Sequence, residues 1–414
     1  MNDTTVAFAC ARCGFRAGLD AWFFGCPDCR QRGQVSVLEA AYPPSALPQA
    51  APFGPARDGF WGYAARLPVP DAASRLTLGE GNTPLVHSRR LGLSLGLPGL
   101  WFKCEGANPT LSFKDRYAAV TMSVARSLGF KKVVVSSTGN YGAATAAYAA
   151  LAGLSCVVLC ADGIPAMILE QILQYGGVPV VVEGPDRFSL VEYLATEHGW
   201  FPAGLFLETR VHNPFGVEGY KTIAWEIVRD LGDVPEAVVF PCARGNGLYG
   251  AWKGFRELRE LGIIGRLPRM IACQPEGAAT IAASLRAGAP VRLTPRPSVA
   301  ASINEAIAST RAVDAVRESG GTAVPVSDAA ALAAARSLGT EGLWAEVSSA
   351  VALAGVEQLA AAGELSEDMR VVVVLTGAGA KWADPMSRAA RGVPRVQGTP
   401  AELEACLARM GIAP

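Results

Sequence analysis

The chain has 414 residues, half of them hydrophobic, and its 37 basic side chains balance 37 acidic ones at pH 7. A neutral chain has no excess positive charge to attract DNA, RNA or an anionic membrane, so we expect a small, neutral or zwitterionic partner. The length exceeds what one hydrophobic core usually organises, which favours a small accessory module beside a two-lobed body.

The N-terminus and the cysteines indicate the cellular compartment. The first ten residues lack the basic start and apolar run of a signal peptide, and no segment approaches the roughly 18 apolar residues that span a bilayer. We therefore expect a soluble, cytoplasmic protein without a membrane partner, whose ten cysteines are thiols or metal ligands rather than disulfides. The three histidines, His87, His198 and His212, lie far apart, which argues against a histidine-based catalytic metal site.

Two Cys-x-x-Cys pairs lie within the first forty residues. They are Cys10 with Cys13 and Cys26 with Cys29, and twelve residues separate the two pairs. Two such pairs complete the tetrahedral thiolate shell of a zinc ion and leave no open position for a substrate, so residues 1–40 are predicted to form a structural zinc ribbon. The alternatives are four incidental thiols, a ribbon that has lost its metal, and a nucleic-acid role, which the neutral charge opposes.

The rest of the chain alternates between strand and helix patterns. Residues 42 to about 70, rich in Pro, Ala and Gly, are predicted to connect the ribbon to the body. Beyond them we expect helices that include one from Phe113 to Gly129 and one that opens with Pro165. The predicted strands are residues 101–105, 131–137, 155–162, 179–183, 205–209, 237–243, 269–275 and 371–377. This alternation indicates an α/β fold whose parallel sheets bind ligands at the carboxyl ends of their strands.

A lysine in a turn-rich segment is the first candidate for chemistry. The run from Glu105 to Arg116, EGANPTLSFKDR, follows a predicted strand and opens a helix, which places Lys114 in the first helical turn, facing a cleft. The positive end of the helix dipole disfavours an ammonium there and favours the neutral amine, the form that condenses with an aldehyde. The alternative is a structural lysine that pairs with Asp115 or Glu105.

Two glycine-bearing loops between strands and helices are candidates for anion binding. Residues 136–142, SSTGNYG, present hydroxyls, an amide and backbone N–H groups to an anion such as a carboxylate. Residues 241–250, PCARGNGLYG, can cradle a phosphate in the same way. Tight strand-to-helix turns also use glycine for steric reasons alone, so each loop is weak evidence by itself. Together they indicate one anionic cofactor and one anionic substrate.

Four segments, in order along the chain, resemble motifs of the threonine synthase family. EGANPTLSFKDR is similar to its lysine motif, SSTGNYGAATAAYAA to its substrate-carboxylate loop, NPFGVEGYKTIAWEI to its central helix entry, and LTGAGAKWADP to its closing cofactor loop. The resemblance runs from about residue 78 to 385 and includes the ribbon that some members carry. It implies fold-type II of the pyridoxal-phosphate enzymes, in which two α/β domains with mostly parallel sheets hold the cofactor in the cleft between them, usually as a homodimer.

The resemblance also implies domain boundaries and residue roles. The domains would be a zinc ribbon (1–40), a connector with the start of the large domain (41–110), a small substrate domain (111–215) and a large pyridoxal-phosphate-binding domain (216–414). Lys114 would carry the cofactor as a Schiff base and move substrate protons. The other cofactor contacts would be Phe113 beside the ring, Asn140 at the 3′-oxygen, Ala243, Arg244, Gly245, Asn246 and Gly247 at the phosphate, and Thr376 at the pyridine nitrogen. The substrate contacts would be Ser137, Thr138 and Tyr141 around the carboxylate, with Tyr220 nearby.

Several positions depart from the family pattern, and most of them would lie near the substrate. The family's Asn-Pro-His-Arg, whose arginine binds the phosphate of O-phosphohomoserine, is Asn213-Pro-Phe215-Gly216 here, so that clamp is absent from its expected place. Arg244 stands in place of a neutral residue; it would strengthen phosphate binding, reach the substrate, or merely pair with a surface carboxylate. The other departures are Tyr141 for threonine, Tyr220 for glutamine and Ala378 for histidine.

These residues support three hypotheses about function. The first is a lyase or synthase that eliminates or replaces a β- or γ-leaving group on an amino acid, most specifically threonine synthase acting on O-phosphohomoserine. The second is a β-replacing or β-eliminating enzyme of specialised amino-acid metabolism, similar to cysteine or cysteate synthase or to threonine and serine dehydratases. The third is a zinc-ribbon binding protein with a decayed catalytic body, which the intact Lys114, Asn140 and Thr376 oppose.

Overall fold

The computed structural model describes residues 6–42, 59–69, 71–137, 139–183, 187–206 and 211–382, together with Ala405 and Arg409. The strands are β1 (Ala7–Cys10), β2 (Arg16–Ala17), β3 (Leu38–Ala41), β4 (Leu85–His87), β5 (Leu100–Cys104), β6 (Lys132–Ser137), β7 (Ser155–Ala161), β8 (Val178–Val182), β9 (Phe201–Pro202), β10 (Leu205–Phe206), β11 (Val211–His212), β12 (Ala237–Pro241), β13 (Arg269–Pro275), β14 (Thr322–Val326) and β15 (Val371–Leu375). The helices are α1 (Pro27–Gln31), α2 (Leu91–Ser94), α3 (Lys114–Ser127), α4 (Asn140–Ala152), α5 (Ala166–Gln174), α6 (Arg187–His198), α7 (Lys221–Leu231), α8 (Asn246–Glu260), α9 (Thr280–Ala287), α10 (Thr310–Glu318), α11 (Asp328–Thr340) and α12 (Val347–Ala361).

Two sheets form the body of the molecule. One has six strands in the order β14-β13-β12-β15-β5-β4, all parallel except β4 at the edge. The other has four parallel strands in the order β8-β7-β6-β9. We call the four-stranded sheet with α3 to α6 the small lobe, and the six-stranded sheet with α7 to α12 the large lobe. Strands β12 and β15 are buried along their whole length, as expected for a sheet covered on both faces.

The α/β fold with parallel sheets that the sequence predicts is confirmed, with local differences. Of the predicted strand at 205–209, the structure describes Leu205–Phe206, which pairs antiparallel with β11, and β9 takes the fourth place in the small sheet. Strand β14 escapes sequence analysis because its Pro325 argues against a strand; the residue is tolerated because β14 is an edge strand, where a missing N–H costs little. Helix α5 begins at Ala166, with Pro165 as its capping residue.

The N-terminal module is a three-stranded antiparallel sheet in the order β2-β1-β3. Cys10 ends β1 and Cys13 follows in the next turn, while Cys26 precedes α1 and Cys29 lies within it. The four sulfur atoms lie within 4.8 Å of one another. The predicted convergence of four thiols in one module is therefore confirmed.

Aromatic side chains attach this module to the body. Phe8 meets Phe215 edge to face with ring centres 5.1 Å apart, and Phe23 meets Phe201 in the same way at 4.9 Å. All four rings are buried, so their contact removes a large apolar area from water. On the large lobe, Lys253 of α8 donates a 2.6 Å hydrogen bond to a backbone carbonyl of β3. The module thus contacts both lobes.

Two predictions from the sequence fall wholly or partly on residues that the structure does not describe. Most of the predicted connector, and Thr138 of the carboxylate loop, lie outside the described residues. Within the described part of the chain, no helix has both the length and the apolar character needed to cross a membrane. The domain boundaries proposed from the resemblance stay a prediction.

Candidate active site

Lys114 begins α3, as predicted, and the loop before it is held from two sides. The backbone N–H of Phe113 donates to the carbonyl of Thr376 at 2.9 Å, which joins the loop to the carboxyl end of β15. The carboxylate of Asp115 accepts from the N–H and the hydroxyl of Thr110, at 3.1 and 2.7 Å, and closes the loop on itself. The lysine therefore projects from a well-fixed turn.

The amine of Lys114 lies among aromatic side chains. Its Nζ donates to the Tyr220 hydroxyl at 3.2 Å and lies 4.2 Å from the centre of the Phe113 ring. Withdrawal from water lowers the pKa of Lys114 to about 8, and the carboxylates of Glu346 and Glu305 reverse this shift only in part. A fraction of the amine is thus uncharged near neutral pH, which agrees with the sequence argument and adds burial as its main cause.

Glu346 is a buried carboxylate of the cleft that sequence analysis did not single out. It directly precedes α12, and its Oε2 accepts from the Asn140 side-chain amide at 3.0 Å. Burial raises the pKa of Glu346, while the hydrogen bond from Asn140 and the positive charges of Lys381 and Lys114 oppose that rise. No local signal marks it in the sequence, because α12 also contains serines and a second acidic residue, Glu357.

The loop between β6 and α4 presents polar atoms to the same cleft. The hydroxyl of Ser137 accepts from the N–H groups of Gly139 and Gly142, at 3.1 and 2.8 Å, and so caps the start of α4. Asn140 begins α4; its Oδ1 and the Ser136 hydroxyl are buried without a hydrogen-bond partner among the described residues. Of these two serines, Ser136 therefore has a hydroxyl without a partner among the described residues, whereas the hydroxyl of Ser137 is hydrogen-bonded within the loop.

The loop between β12 and α8 approaches its neighbours closely. Gly245 has a left-handed backbone, with φ of 85°, and a Cβ there would lie 2.4 Å from the Cβ of Ala312. A Cβ at Gly247 would lie 2.6 Å from the ring of Phe113. Glycine is thus required at both positions, and the start of a helix such as α8 is a place where backbone N–H groups can bind an anion.

Two predicted cofactor residues have partners of their own. Arg244 forms an ion pair with Glu305, with Nη2 and Oε2 3.4 Å apart, and both side chains are mostly buried. The Thr376 hydroxyl lies 3.0 Å from that of Ser349 on α12. Arg244 therefore pairs with a carboxylate, but one that lines the cleft rather than the outer surface.

Tyrosines form one wall of the cleft. The ring of Tyr117 meets Tyr141 edge to face, with centres 5.0 Å apart, and lies 5.5 Å from Tyr220. The hydroxyl of Tyr141 donates to the backbone carbonyl of Ala203, so it is turned into the protein. A Cβ at Gly216 would lie 2.2 Å from the Tyr117 ring, which leaves no space for a side chain there.

One cleft of about 190 Å³ brings the predicted residues together. Its lining includes Lys114, Phe113, Ser137, Asn140, Tyr141, Tyr220, the five residues 243–247 and Thr376. The lining also includes Ser136 of the predicted carboxylate loop and residues that were not selected from the sequence, among them Tyr117, Arg187, Phe188, Glu305 and Glu346. The selected residues span 264 positions of the chain, from Phe113 to Thr376, and only folding places them side by side.

Comparison with known proteins agrees with this geometry. The model of a family described as pyridoxal-phosphate dependent enzyme matches residues 76–377. Threonine synthase of Methanocaldococcus jannaschii is 37% identical over 340 residues, which cover 80% of this chain and 82% of that protein. Threonine synthase of Methanosarcina acetivorans is 35% identical over 379 residues, which cover 89% and 90%. The chain belongs to the pyridoxal-phosphate-dependent enzymes, in the threonine synthase family.

A solved structure of another enzyme shares this fold. Diaminopropionate ammonia lyase from Escherichia coli superposes with a TM-score of 0.65 over 77% of this chain and 91% of that one, at 19% sequence identity. An identity this low supports a common fold alone. The predicted fold class and family membership are both confirmed.

The residues of the cleft fit pyridoxal phosphate, the cofactor of the family. A partly uncharged amine lies at Lys114, two polar atoms that are buried without partners among the described residues lie at Asn140 and Ser136, and the start of α8 can bind an anion. Buried polar atoms without partners in a native cleft are explained when a bound group satisfies them. The four cysteines of the N-terminal module form a separate donor set suited to a metal ion.

Replacing Glu346 with glutamine should lower the pKa of Lys114 below its value of about 8, because the carboxylate that stabilises the ammonium most is lost. The amine should then react at lower pH. The measurement is the pH dependence of Lys114 modification by an amine-selective reagent in cofactor-free protein, read by mass spectrometry. Glu305→Gln should shift the midpoint in the same direction by a smaller amount, and an unchanged or raised midpoint in Glu346→Gln would contradict the assignment.

Replacing Gly216 with alanine should lower the free energy of unfolding by about 1–3 kcal/mol, because the new Cβ collides with the Tyr117 ring and the Thr121 hydroxyl. Urea denaturation measures the effect. In a Tyr117→Ala background the loss should shrink, since one of the two obstacles is gone. Gly339→Ala, in α11 with open space around it, is the matched control and should be neutral or slightly stabilising. Equal losses in both backgrounds would show that the Tyr117 ring does not occupy this space.

Proposed function

We propose that Lys114 binds pyridoxal phosphate and that the enzyme eliminates or replaces a β- or γ-leaving group on an amino acid. The observation that carries this proposal is the lowered pKa of the Lys114 amine in a cleft shared with two other features. One is the loop before α4, where Ser136 and Asn140 have buried polar atoms without partners among the described residues, and the other is the glycine turn at the start of α8. Membership of the threonine synthase family supports the same reaction class.

The other cofactor contacts follow from the positions of the residues in the cleft. When bound, the cofactor supplies an electron sink for negative charge on the substrate. Phe113 would lie beside its ring, residues 243–247 at the start of α8 would hold its phosphate, and Thr376, oriented by Ser349, would face the pyridine nitrogen. A hydroxyl at that nitrogen is a neutral partner, which suits elimination and replacement at the side chain.

Asn140 would contact the 3′-oxygen of the cofactor, with Glu346 behind it. The amide of Asn140 donates to Glu346, whose pKa is raised by burial. This hydrogen bond fixes the orientation of the Asn140 amide, and Glu346 is therefore a positioning residue for it.

Lys114 would also take and return substrate protons, and Tyr220 holds its amine in place through the 3.2 Å hydrogen bond. The loop 136–142 would bind the substrate carboxylate. Ser136 offers the free hydroxyl, Ser137 shapes the loop, and the Tyr141 ring closes one side. Thr138 belongs to this set on the strength of the resemblance alone.

The most specific assignment is threonine synthase acting on O-phosphohomoserine, since the relatives at 35–37% identity carry that name. A second candidate, a β-replacing or β-eliminating enzyme of specialised amino-acid metabolism, is favoured by one observation. The family's phosphate-binding arginine is absent at Gly216, and the Tyr117 ring fills the space where its side chain would begin. We place the enzyme in the cytoplasm as a homodimer, as is usual for this fold, with the domain boundaries given above.

The cofactor assignment is tested by absorption spectroscopy. Wild-type protein incubated with pyridoxal phosphate should gain a visible band, and Lys114→Ala should lose it because no other lysine reaches the same position. Lys131→Ala, an exposed lysine outside the cleft, is the matched control and should keep the band. A colourless wild-type protein that cannot be loaded would instead favour a binding protein with a decayed catalytic body.

The two enzymatic candidates are separated by a substrate screen. O-phosphohomoserine, O-phosphoserine, O-acetylserine and threonine are each mixed with the loaded enzyme, and spectral change, released phosphate, ketoacid and threonine are measured. Formation of threonine from O-phosphohomoserine supports threonine synthase. A response to the β-substituted substrates without any threonine product supports the second candidate.

We also assign zinc to the four cysteines of the N-terminal module, since a closed tetrahedral set of thiolates suits this ion. Freshly purified protein should contain about one equivalent of zinc, and Cys29→Ser should lose it and lower the melting temperature, because the metal contributes directly to folding of such modules. Cys104→Ser, outside the cluster, should keep the metal. A wild-type protein with unoxidised Cys10 and Cys26 but well below half an equivalent of zinc would refute the assignment.

A further inference from the structure

Two arginines face the same end of the cleft from opposite walls. Arg187 lies at the start of α6 in the small lobe, and Arg244 lies in the loop before α8 in the large lobe. Both flank the ring of Phe188, and their guanidinium carbons lie 6.0 and 5.7 Å from its centre. Glu305 pairs with Arg244 at 3.4 Å. This end of the cleft therefore has two positive charges on its lining and one negative charge.

Arg187 has a side-chain donor that is not satisfied. Its Nη1 is buried and has no hydrogen-bond partner within the described part of the chain. A guanidinium keeps its charge at physiological pH, and leaving one of its buried N–H groups without an acceptor is unfavourable. Burial lowers the pKa of Arg187, and Glu305 offsets this only in part. An acceptor supplied by a ligand would remove this cost.

The position of Arg187 separates it from the expected cofactor phosphate. The anion cradle at the start of α8 belongs to the large lobe, and Arg244 is part of that loop. Arg187 belongs to the opposite wall, on the helix that follows the small sheet, and lies across the cavity that also contains Lys114. At Gly216, by contrast, Tyr117 and Thr121 leave no room for a positively charged side chain. Arg187 is therefore a cation of the small lobe that can meet a substrate.

We propose that Arg187 is a specificity-determining residue that binds a phosphate-like anion at the distal end of the substrate. This inference rests on the proposed function, in which an amino acid loses a group from its β or γ carbon. A guanidinium recognises a phosphate through two parallel hydrogen bonds, and Phe188 confines the group from one side. The preferred substrates are accordingly amino acids with a phosphorylated side chain over those with a neutral ester. Arg244 and Glu305 complete the polar end of the cavity.

The test compares Arg187→Gln, Arg187→Lys and the matched control Arg286→Gln, an exposed arginine at the end of α9 outside the cleft. Each holoenzyme is titrated with inorganic phosphate by calorimetry, and KM and kcat are measured for O-phosphoserine and for O-acetylserine. Arg187→Gln should weaken phosphate binding, and the preference for O-phosphoserine over O-acetylserine should fall about tenfold to a hundredfold, as expected for loss of hydrogen bonds to a charged group. Arg187→Lys should recover part of the loss, and Arg286→Gln should match wild type.

Two further outcomes show whether Arg187 binds the cofactor rather than the substrate, and whether the proposed function itself fails. If Arg187→Gln raises the Kd for pyridoxal phosphate but leaves phosphate binding to the holoenzyme unchanged, Arg187 serves the cofactor and the inference is overturned. If the wild-type holoenzyme turns over none of these substrates, the proposed function fails, and the phosphate titration still decides the inference. Equal phosphate affinity in wild type and Arg187→Gln overturns it in that case as well.

Discussion

The position of Lys114 depends on a buried guanidinium two residues further along the chain. Arg116 contacts the carboxylates of Glu105 and Glu226 at 2.6–2.8 Å, and Lys103 contacts Glu226 at 2.8 Å. All four side chains are withdrawn from water, so each charge depends on its partners, and removal of one member of such a group typically costs 3–5 kcal/mol. The network joins the start of α3 to β5 and α7, and it thereby holds the lysine turn against the large lobe.

Around this anchor, close backbone approaches set the shape of the cleft. Gly247 brings the loop before α8 against Phe113, and Gly216 brings the segment before α7 against Tyr117. The neighbouring Phe215 packs on Phe8 of the N-terminal module. The module therefore supports the tyrosine wall of the cleft from behind, although its four cysteines lie in a separate cluster. A zinc ribbon in this position would act as a structural support for the substrate side of the enzyme.

The agreement between sequence and structure is best where a residue's local context limits its possible positions. The loop that ends at Lys114 and the glycine turn that opens α8 lie between apolar strands and helices, and their strand-to-helix context places both at the cleft. Sequence analysis did not select Glu346, Arg187 or Tyr117, because each lies on a helix or at its start with nothing local to distinguish it from a surface or core residue. Their roles arise from the side chains that other segments bring near them. The same holds for Ser137, whose hydroxyl is used by its own loop.

From the sequence alone, period, spacing and turn residues predict the α/β fold and the four-thiol module, because these are local properties that survive in one dimension. The resemblance of four motifs adds the family and Lys114 as the candidate cofactor lysine. The tertiary structure decided what surrounds that lysine. Burial lowers its pKa, Glu346 partly restores it, and Tyr220 receives its hydrogen bond. The proposed place of the distal anion also depends on the tertiary structure. Distances between segments far apart in the chain decide that Gly216 leaves no room for a side chain and that Arg187 has a buried donor without a partner among the described residues.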